Sequence, residues 1–204
     1  MKDKLADAFI NLKRDDVLSL VKSQTQGGGD PSQILEELRQ GMLTIMERYE
    51  RREYPLTSVA EAIEIYKEVS QSLEPSLPLE RRKFVGKVVI GTAQGDIHES
   101  GKNLFASMLV SVGFEVFDLG ADVPPEKCVE TLKRTGASVL CLSGIVTNGL
   151  EGMKKTVDAV RRAGLKTKVL IGGGVTTPGL KNFVGADAQT RDLVEGARIC
   201  LSYV

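Results

Sequence analysis

Tryptophan is absent from the 204 residues, and histidine occurs once, at position 98. Any chemistry that needs an imidazole therefore has one place to go. Cysteine is also scarce: Cys128, Cys141 and Cys200 stand apart, without Cys-x-x-Cys spacing. That argues against a disulfide framework and fits a reducing cytoplasm, the compartment expected for this chain. No charge of one sign dominates. The 27 Lys and Arg balance 27 Asp and Glu, whereas a protein whose main task is gripping nucleic acid is usually basic. No apolar run approaches the ~18 residues of a membrane span. The opening Met1-Lys2-Asp3-Lys4 carries an acid and leads into an amphipathic stretch, so no signal-peptide core is expected. What is present is ordinary for a folded chain: 42% apolar and 26% charged residues, enough for a packed core.

The chain reads in two grammars. Residues 1–80 are helical throughout. Leu5, Ala8, Phe9 and Leu12 recur at helical spacing, and a second helix runs near Asp15 to Lys22 until Gly27-Gly28-Gly29 stops it. Asp30 as cap and Pro31 at the first position begin a third helix, with an apolar face of Ile34, Leu38, Met42, Ile45 and Tyr49. Pro55 breaks it, and Thr57 is expected to cap a fourth helix striped by Val59, Ala62, Ile63, Tyr66 and Val69. Four helices with short loops predict a four-helix bundle. Glu74-Pro75-Ser76-Leu77-Pro78 reads as a linker, completed by Leu79 to Lys83.

From residue 84 to 204 strands alternate with helices. Strands are expected over 87–92, 114–119, 138–143 and 168–172, with a weak fifth near Ala186-Asp187-Ala188. Helices are expected over 101–112, 124–134, 150–163 and 191–202. The alternation predicts a Rossmann-like, flavodoxin-like parallel sheet covered on both faces, so the fold class is α + α/β. Ligands of such sheets bind beyond the carboxyl ends of the strands.

Three segments stand at those ends: Gly95-Asp96-Ile97-His98-Glu99-Ser100-Gly101 after the first strand, Ser143-Gly144-Ile145-Val146-Thr147 after the third, and Gly172-Gly173-Gly174-Val175 after the fourth. Gly95 to Gly101-Lys102 approaches a phosphate loop, but it is one residue too long and Asn103 stands where Ser or Thr would hold magnesium. No Gly-x-Gly-x-x-Gly is present, so a dinucleotide fingerprint is lacking. Asp96, His98 and Glu99 could crowd round a divalent metal, although zinc sites recruit more His or Cys than this chain owns. A cysteine–histidine nucleophile would have to bring Cys141 out of a buried strand. Two readings of His98 stay open at this point. It is a polar residue of an exposed loop, or a single axial ligand to a metal whose other ligands come from a macrocycle, with Asp96 accepting the second ring N–H.

Asp96-x-His98-x-x-Gly101, Ser143-x-Ile145 and Gly172-Gly173 together resemble the cobalamin-binding signature DxHxxG…SxL…GG. Forty-one residues separate Gly101 from Ser143, and 26 separate Ile145 from Gly172, gaps like the family's. Nearly the whole chain is similar to the small corrinoid proteins of methyltransferase systems, in which a helical cap precedes the cobalamin domain. The resemblance implies that residues 1–80 form the cap and 84–204 the cobalamin-binding domain. It implies a base-off cobalamin in which His98 replaces the cofactor's own dimethylbenzimidazole below the cobalt and Asp96 orients His98. Gly95, Ile97, Glu99, Ser100, Gly101 and Asn103 would flank the corrin. Ser143, Ile145, Val146 and Thr147 would line the slot for the nucleotide tail, with Gly172, Gly173, Gly174 and Val175 giving it room. Tyr49 and Leu56 match the cap positions that shield the upper face, and they also fit a bundle core.

Three departures stand out. Ile145 replaces the signature Leu, Gly149 stands where relatives often carry Ser or Thr beside the aspartate, and Gln189 stands where many carry Tyr. The activity implied is that of a methyl carrier, not catalytic alone. It would move a methyl group on cobalt between a substrate:corrinoid methyltransferase and a methylcorrinoid:acceptor methyltransferase (a folate or thiol acceptor), with a reductive activase as a further partner and no nucleic acid or membrane. A cobalamin-dependent sensor, a mutase subunit and an unrelated flavodoxin-like signalling domain are the rival readings.

Overall fold

A computed structural model describes residues 2–77 and 83–204, with side chains from Lys4 onward. The expected linker over 74–83 therefore lies partly outside the described residues. The chain divides into two compact units, Met1–Lys83 with Ser111–Gly113, and Phe84–Val110 with Phe114–Val204.

The first unit holds four helices: α1 Lys2–Ile10, α2 Arg14–Gln26, α3 Pro31–Glu50 and α4 Leu56–Leu73. Their apolar stripes supply its core, with Leu5, Phe9, Val17, Ile34, Leu38, Met42, Ile45, Val59, Ile63 and Val69 all buried. Each such side chain contributes roughly 1.5–3 kcal/mol of burial. Helices α1 and α3 approach closely at Gly41, where a Cβ would lie 2.6 Å from the Phe9 ring. Asp30 caps α3, its Oδ1 accepting the Ser32 amide at 2.9 Å, and Pro31 opens the helix as expected. Two details differ from the sequence reading. Thr57 lies inside α4, and the cap position is Pro55, which makes no side-chain cap bond. Glu74–Ser76 forms a 3-10 turn despite Pro75, because a proline in the first turn has no N–H that the helix would use.

In the second unit five parallel strands, β1 Gly86–Thr92, β2 Phe114–Asp118, β3 Val139–Ser143, β4 Lys168–Gly172 and β5 Ala188–Gln189, are ordered β2-β1-β3-β4-β5. Helices α5 Ser100–Ser111, α6 Pro125–Thr135, α7 Thr147–Arg162, α8 Pro178–Val184 and α9 Leu193–Leu201 follow the strands in turn. Val89, Leu140, Leu142, Val169 and Ile171 pack with Cys128, Leu132, Met153, Val157, Val160 and Val184 of α6, α7 and α8. On the opposite face Cys141 of β3 touches Cys200 of α9, Sγ to Sγ 3.7 Å. Gly196 of α9 leaves room for the Phe105 ring of α5, 3.0 Å from where its Cβ would stand. Helix α8 is absent from the sequence expectation, although its signals are present: Thr177 caps it by accepting the Leu180 amide, Pro178 opens it and left-handed Gly185 ends it. At seven residues it is too short for a helical period to declare itself.

The strand order places a topological switch between β1 and β3. The chain leaves β1 for β2 on one side and returns to β3 on the other, so the loops after β1 and β3 diverge from a crevice.

Candidate cofactor site

Both switch-point loops are tied together by one buried side chain. Asp96 of the β1–α5 loop has no exposed side-chain surface. Its Oδ2 accepts the amides of Ile145 (2.6 Å) and Val146 (3.2 Å) from the β3–α7 loop. Its Oδ1 accepts the His98 amide at 2.9 Å and meets His98 Nδ1 at 2.7 Å. Burial pushes the Asp96 pKa up, but the amides of Ile145, His98 and Val146 and the His98 ring outweigh it and hold the carboxyl below its usual range. The group is therefore a carboxylate. An acceptor-only oxygen facing Nδ1 requires the proton on Nδ1, which leaves the Nε2 lone pair as the donor of the ring. The ring itself is 52% exposed.

The other expected residues of the second unit lie at the ends of β1, β3 and β4 or in the segments that follow them. Gly95 turns the loop at φ +91, with the Asn148 carbonyl 3.2 Å from where a Cβ would stand. Ile97 and Ile145 are 74% and 46% exposed, an unusual display of two large apolar side chains on the two switch-point loops. Ser100 and Gly101 begin α5, and a Cβ on Gly101 would meet nothing within 4 Å. Glu99 faces Lys102 at 3.4 Å, and Asn103 Oδ1 accepts from the same Nζ at 2.7 Å. Val146 precedes α7, which Thr147 opens. Ser143 ends β3, its carbonyl accepting the Ala93 amide, and the Gly172 carbonyl accepts the Gly144 amide. Gly173 is held at φ +102 with the Gly144 carbonyl 2.2 Å from a would-be Cβ, so only glycine fits. Gly174 and half-buried Val175 follow. Tyr49 and Leu56 belong to the helical unit, at the end of α3 and the start of α4. Tyr49 is half-buried and Leu56 is 45% exposed.

Several residues of this region escaped the sequence reading. Lys102 is buried and bound by both oxygens of Asp118, at 2.7 and 2.5 Å, an anchor for the first turn of α5 that looked like a misplaced phosphate-loop lysine. Asp122, in the loop after β2, accepts the Gly95 amide at 2.8 Å and donates its own to the Asp96 carbonyl at 2.9 Å. Thr92 Oγ1 reaches the His98 carbonyl at 3.3 Å. Gln189 donates to Thr176 Oγ1, which donates to the Gly173 carbonyl, bracing the glycine loop. A lone acid after Leu-Gly-Ala, or a Gln on a two-residue strand, carries no spacing signal.

The alternative chemistries weaken on this geometry. All three cysteines are buried. Burial pushes the Cys128 thiol up to about 12, and the Cys200 sulfur, with burial, raises that of Cys141. Neither is a ready nucleophile. Among the described residues no group of three or more His, Cys, Asp or Glu could hold a metal ion.

The B12-binding domain model matches residues 86–197, more than half of the chain. The chain belongs to the B12-binding domain family. It is also 34% identical over 196 residues to the dimethylamine corrinoid protein of Methanosarcina barkeri, covering 94% of this chain and 92% of that one. A solved cobalamin-binding protein from Desulfitobacterium hafniense superposes with a TM-score of 0.78 at 32% identity, covering 100% of this chain and 98% of the other. The methanol:cobalamin methyltransferase complex of M. barkeri superposes with a TM-score of 0.83 over 98% of this chain and 77% of that one; at 23% identity it speaks for the fold. Apart from Ser111–Gly113, the matched B12-binding domain lies within the second unit. No helix among the described residues is long and apolar enough to cross a membrane.

Proposed function

We propose that this chain is the corrinoid-carrying subunit of a methyltransferase system, with His98 as the lower axial ligand in place of the cofactor's benzimidazole. The Asp96–His98 pair is the observation that carries the reading. A buried carboxylate fixes the Nδ1–H tautomer, and the half-exposed ring offers its other nitrogen. Ile97 and Ile145 would be covered by the corrin, Gly101 leaves space beside it, and Gly172, Gly173 and Gly174 open the slot for the nucleotide tail. The bound corrinoid would supply a cobalt centre on which a methyl group travels; the protein supplies orientation, axial tuning and shielding. Tyr49 and Leu56 would shield the upper face, and the cap would have to move to admit a partner. The partners proposed are a methyltransferase specific for the methyl donor, one specific for a folate or thiol acceptor, and a reductive activase. The names of the relatives, dimethylamine corrinoid protein among them, support a methylamine as donor class.

The single histidine makes the test direct. Protein grown with 15N-histidine is loaded with cob(II)alamin, and the electron paramagnetic resonance spectrum is recorded. Axial ligation by His98 converts the three-line nitrogen splitting into two lines. Retention of three lines in labelled protein would mean that the benzimidazole still holds the cobalt, and would overturn the assignment.

A further inference from the structure

We infer that Asp122 is the positioning residue that sets the geometry of the His98 ligand, acting through the Gly95–Asp96 backbone; the inference rests on the reading of His98 as a ligand. Asp122 grips the β1–α5 loop with contacts of opposite polarity. Its Oδ1 accepts the Gly95 N–H at 2.8 Å, and its own N–H donates to the Asp96 carbonyl at 2.9 Å. To do so it adopts φ +50, a left-handed conformation that L residues other than Asn and Asp rarely enter. The side chain is exposed, so packing does not impose this conformation. The neighbouring backbone explains how the residue reaches the loop. Thr92 donates to the Gly120 carbonyl and accepts from the Val123 amide, which extends the β1–β2 pairing past the strand ends and delivers Asp122 opposite Gly95.

The consequence for the ligand is geometric. The Asp96 side chain is fastened to the β3–α7 loop by the Ile145 and Val146 amides, and its backbone is fastened to the β2–α6 loop by Asp122. Three strand-end loops thus converge on one residue, and His98 is hung from that residue by two bonds. Release of the Gly95 amide would let the Asp96 backbone swing about its carboxylate anchor, and the Nδ1–H···Oδ1 alignment would lose definition. A general stabilising role would lower stability without altering which ring nitrogen carries the proton.

Asp122→Gly removes the acceptor and relaxes the left-handed backbone, so the variant is expected to fold; Asp122→Asn keeps both an acceptor oxygen and tolerance of that backbone. With 15N-histidine, ring spectra of the cofactor-free protein near pH ~8, where an ordinary imidazole is neutral, report the tautomer ratio. We expect Nδ1–H dominance in the parent. Asp122→Gly should shift the ratio about 3–10-fold toward Nε2–H, and Asp122→Asn should stay within about twofold of the parent. With cob(II)alamin the two-line fraction should follow the same order. An unchanged tautomer ratio in Asp122→Gly would overturn the inference. Failure of His98 ligation in the parent protein would be read separately, from the loaded spectrum, and would leave the cofactor-free measurement to judge Asp122 alone.

Discussion

Asp96 and Ile145 are separated by 49 positions in sequence, yet the carboxylate of one accepts the amide of the other at 2.6 Å. This bond joins the two loops that diverge at the switch point, and the same carboxylate orients His98. Asp96→Ala would leave the Ile145, Val146 and His98 amides without their acceptor. Losing a buried acceptor in this way costs about 1–3 kcal/mol, read as a lowered urea midpoint of the cofactor-free protein. Removing the carboxylate behind a ligating histidine typically weakens ligation ~10–100-fold, so the same variant should bind cobalamin with His98 largely off the metal. A full complement of His98-ligated cobalt in Asp96→Ala would separate the carboxylate from the ligand's function.

His98→Ala should behave in the opposite way. The ring is half exposed, and the Asp96 carboxylate keeps three backbone amides without it. The unfolding free energy read from urea titration is therefore expected to change by less than ~0.5 kcal/mol, the usual range for surface substitutions. The bound corrinoid should still be retained through the nucleotide-tail slot but show an altered visible spectrum. A spectrum identical to that of the parent protein would remove the axial-ligand assignment.

The strands, α3 with its Asp30 cap and the three glycine-bearing loops were legible because each rests on local rules: period, cap chemistry and breakers. The signature residues were legible because they lie close together within each loop. What joins them was not. Nothing in the sequence says that Ile145 and Val146 serve Asp96 through their amides, since a backbone donor has no residue identity to read. Gly149 is instructive here. A Cβ there would stand 3.3 Å from Asp96 Cβ and 3.5 Å from Oδ2, so the position does neighbour the carboxylate, as the departure from Ser or Thr implies. A Ser or Thr side chain at this position would therefore lie directly against the Asp96 carboxylate, which already accepts two amides through Oδ2. Asp122 was illegible for a related reason, because its partner is a backbone amide delivered by sheet register.

Asp187 offers a test by pH. It follows α8, and its carboxylate accepts from the Val169 amide at 2.7 Å, Arg161 at 2.6 Å and Lys168 at 3.2 Å. Burial pushes its pKa up, but those three partners outweigh burial and hold it below the ordinary value. A carboxyl whose folded pKa is depressed stabilises the fold above its unfolded pKa, ~3.9, and loses that contribution as pH falls through the folded value. Asp187→Asn should therefore be less stable than the parent at neutral pH, with the gap closing below about pH 4. Urea midpoints at neutral and acidic pH check this. A gap of constant size would show that the charge on Asp187 is not what the partners stabilise.

Gly173 and Gly101, at two of the strand-end loops, should respond oppositely to the same added methyl group. At Gly173 the backbone is left-handed and a Cβ would lie 2.2 Å from the Gly144 carbonyl. Gly173→Ala must either distort the β4–α8 loop or push it off the β3–α7 loop, at a cost of about 2–4 kcal/mol from strain and overpacking. At Gly101 the Cβ would enter open space in the first turn of α5. Gly101→Ala should therefore leave the cofactor-free protein as stable as the parent, or more stable by up to ~1 kcal/mol through better helix propensity. If the open space beside Gly101 is where the corrin edge lies, the same variant should bind cobalamin at least several-fold more weakly, although nothing in the folded chain objects to the methyl group. Titration of hydroxocobalamin by absorbance, alongside urea unfolding of each variant, separates the two effects. Unimpaired binding by Gly101→Ala would mean that the space at the start of α5 is not part of the corrinoid cleft.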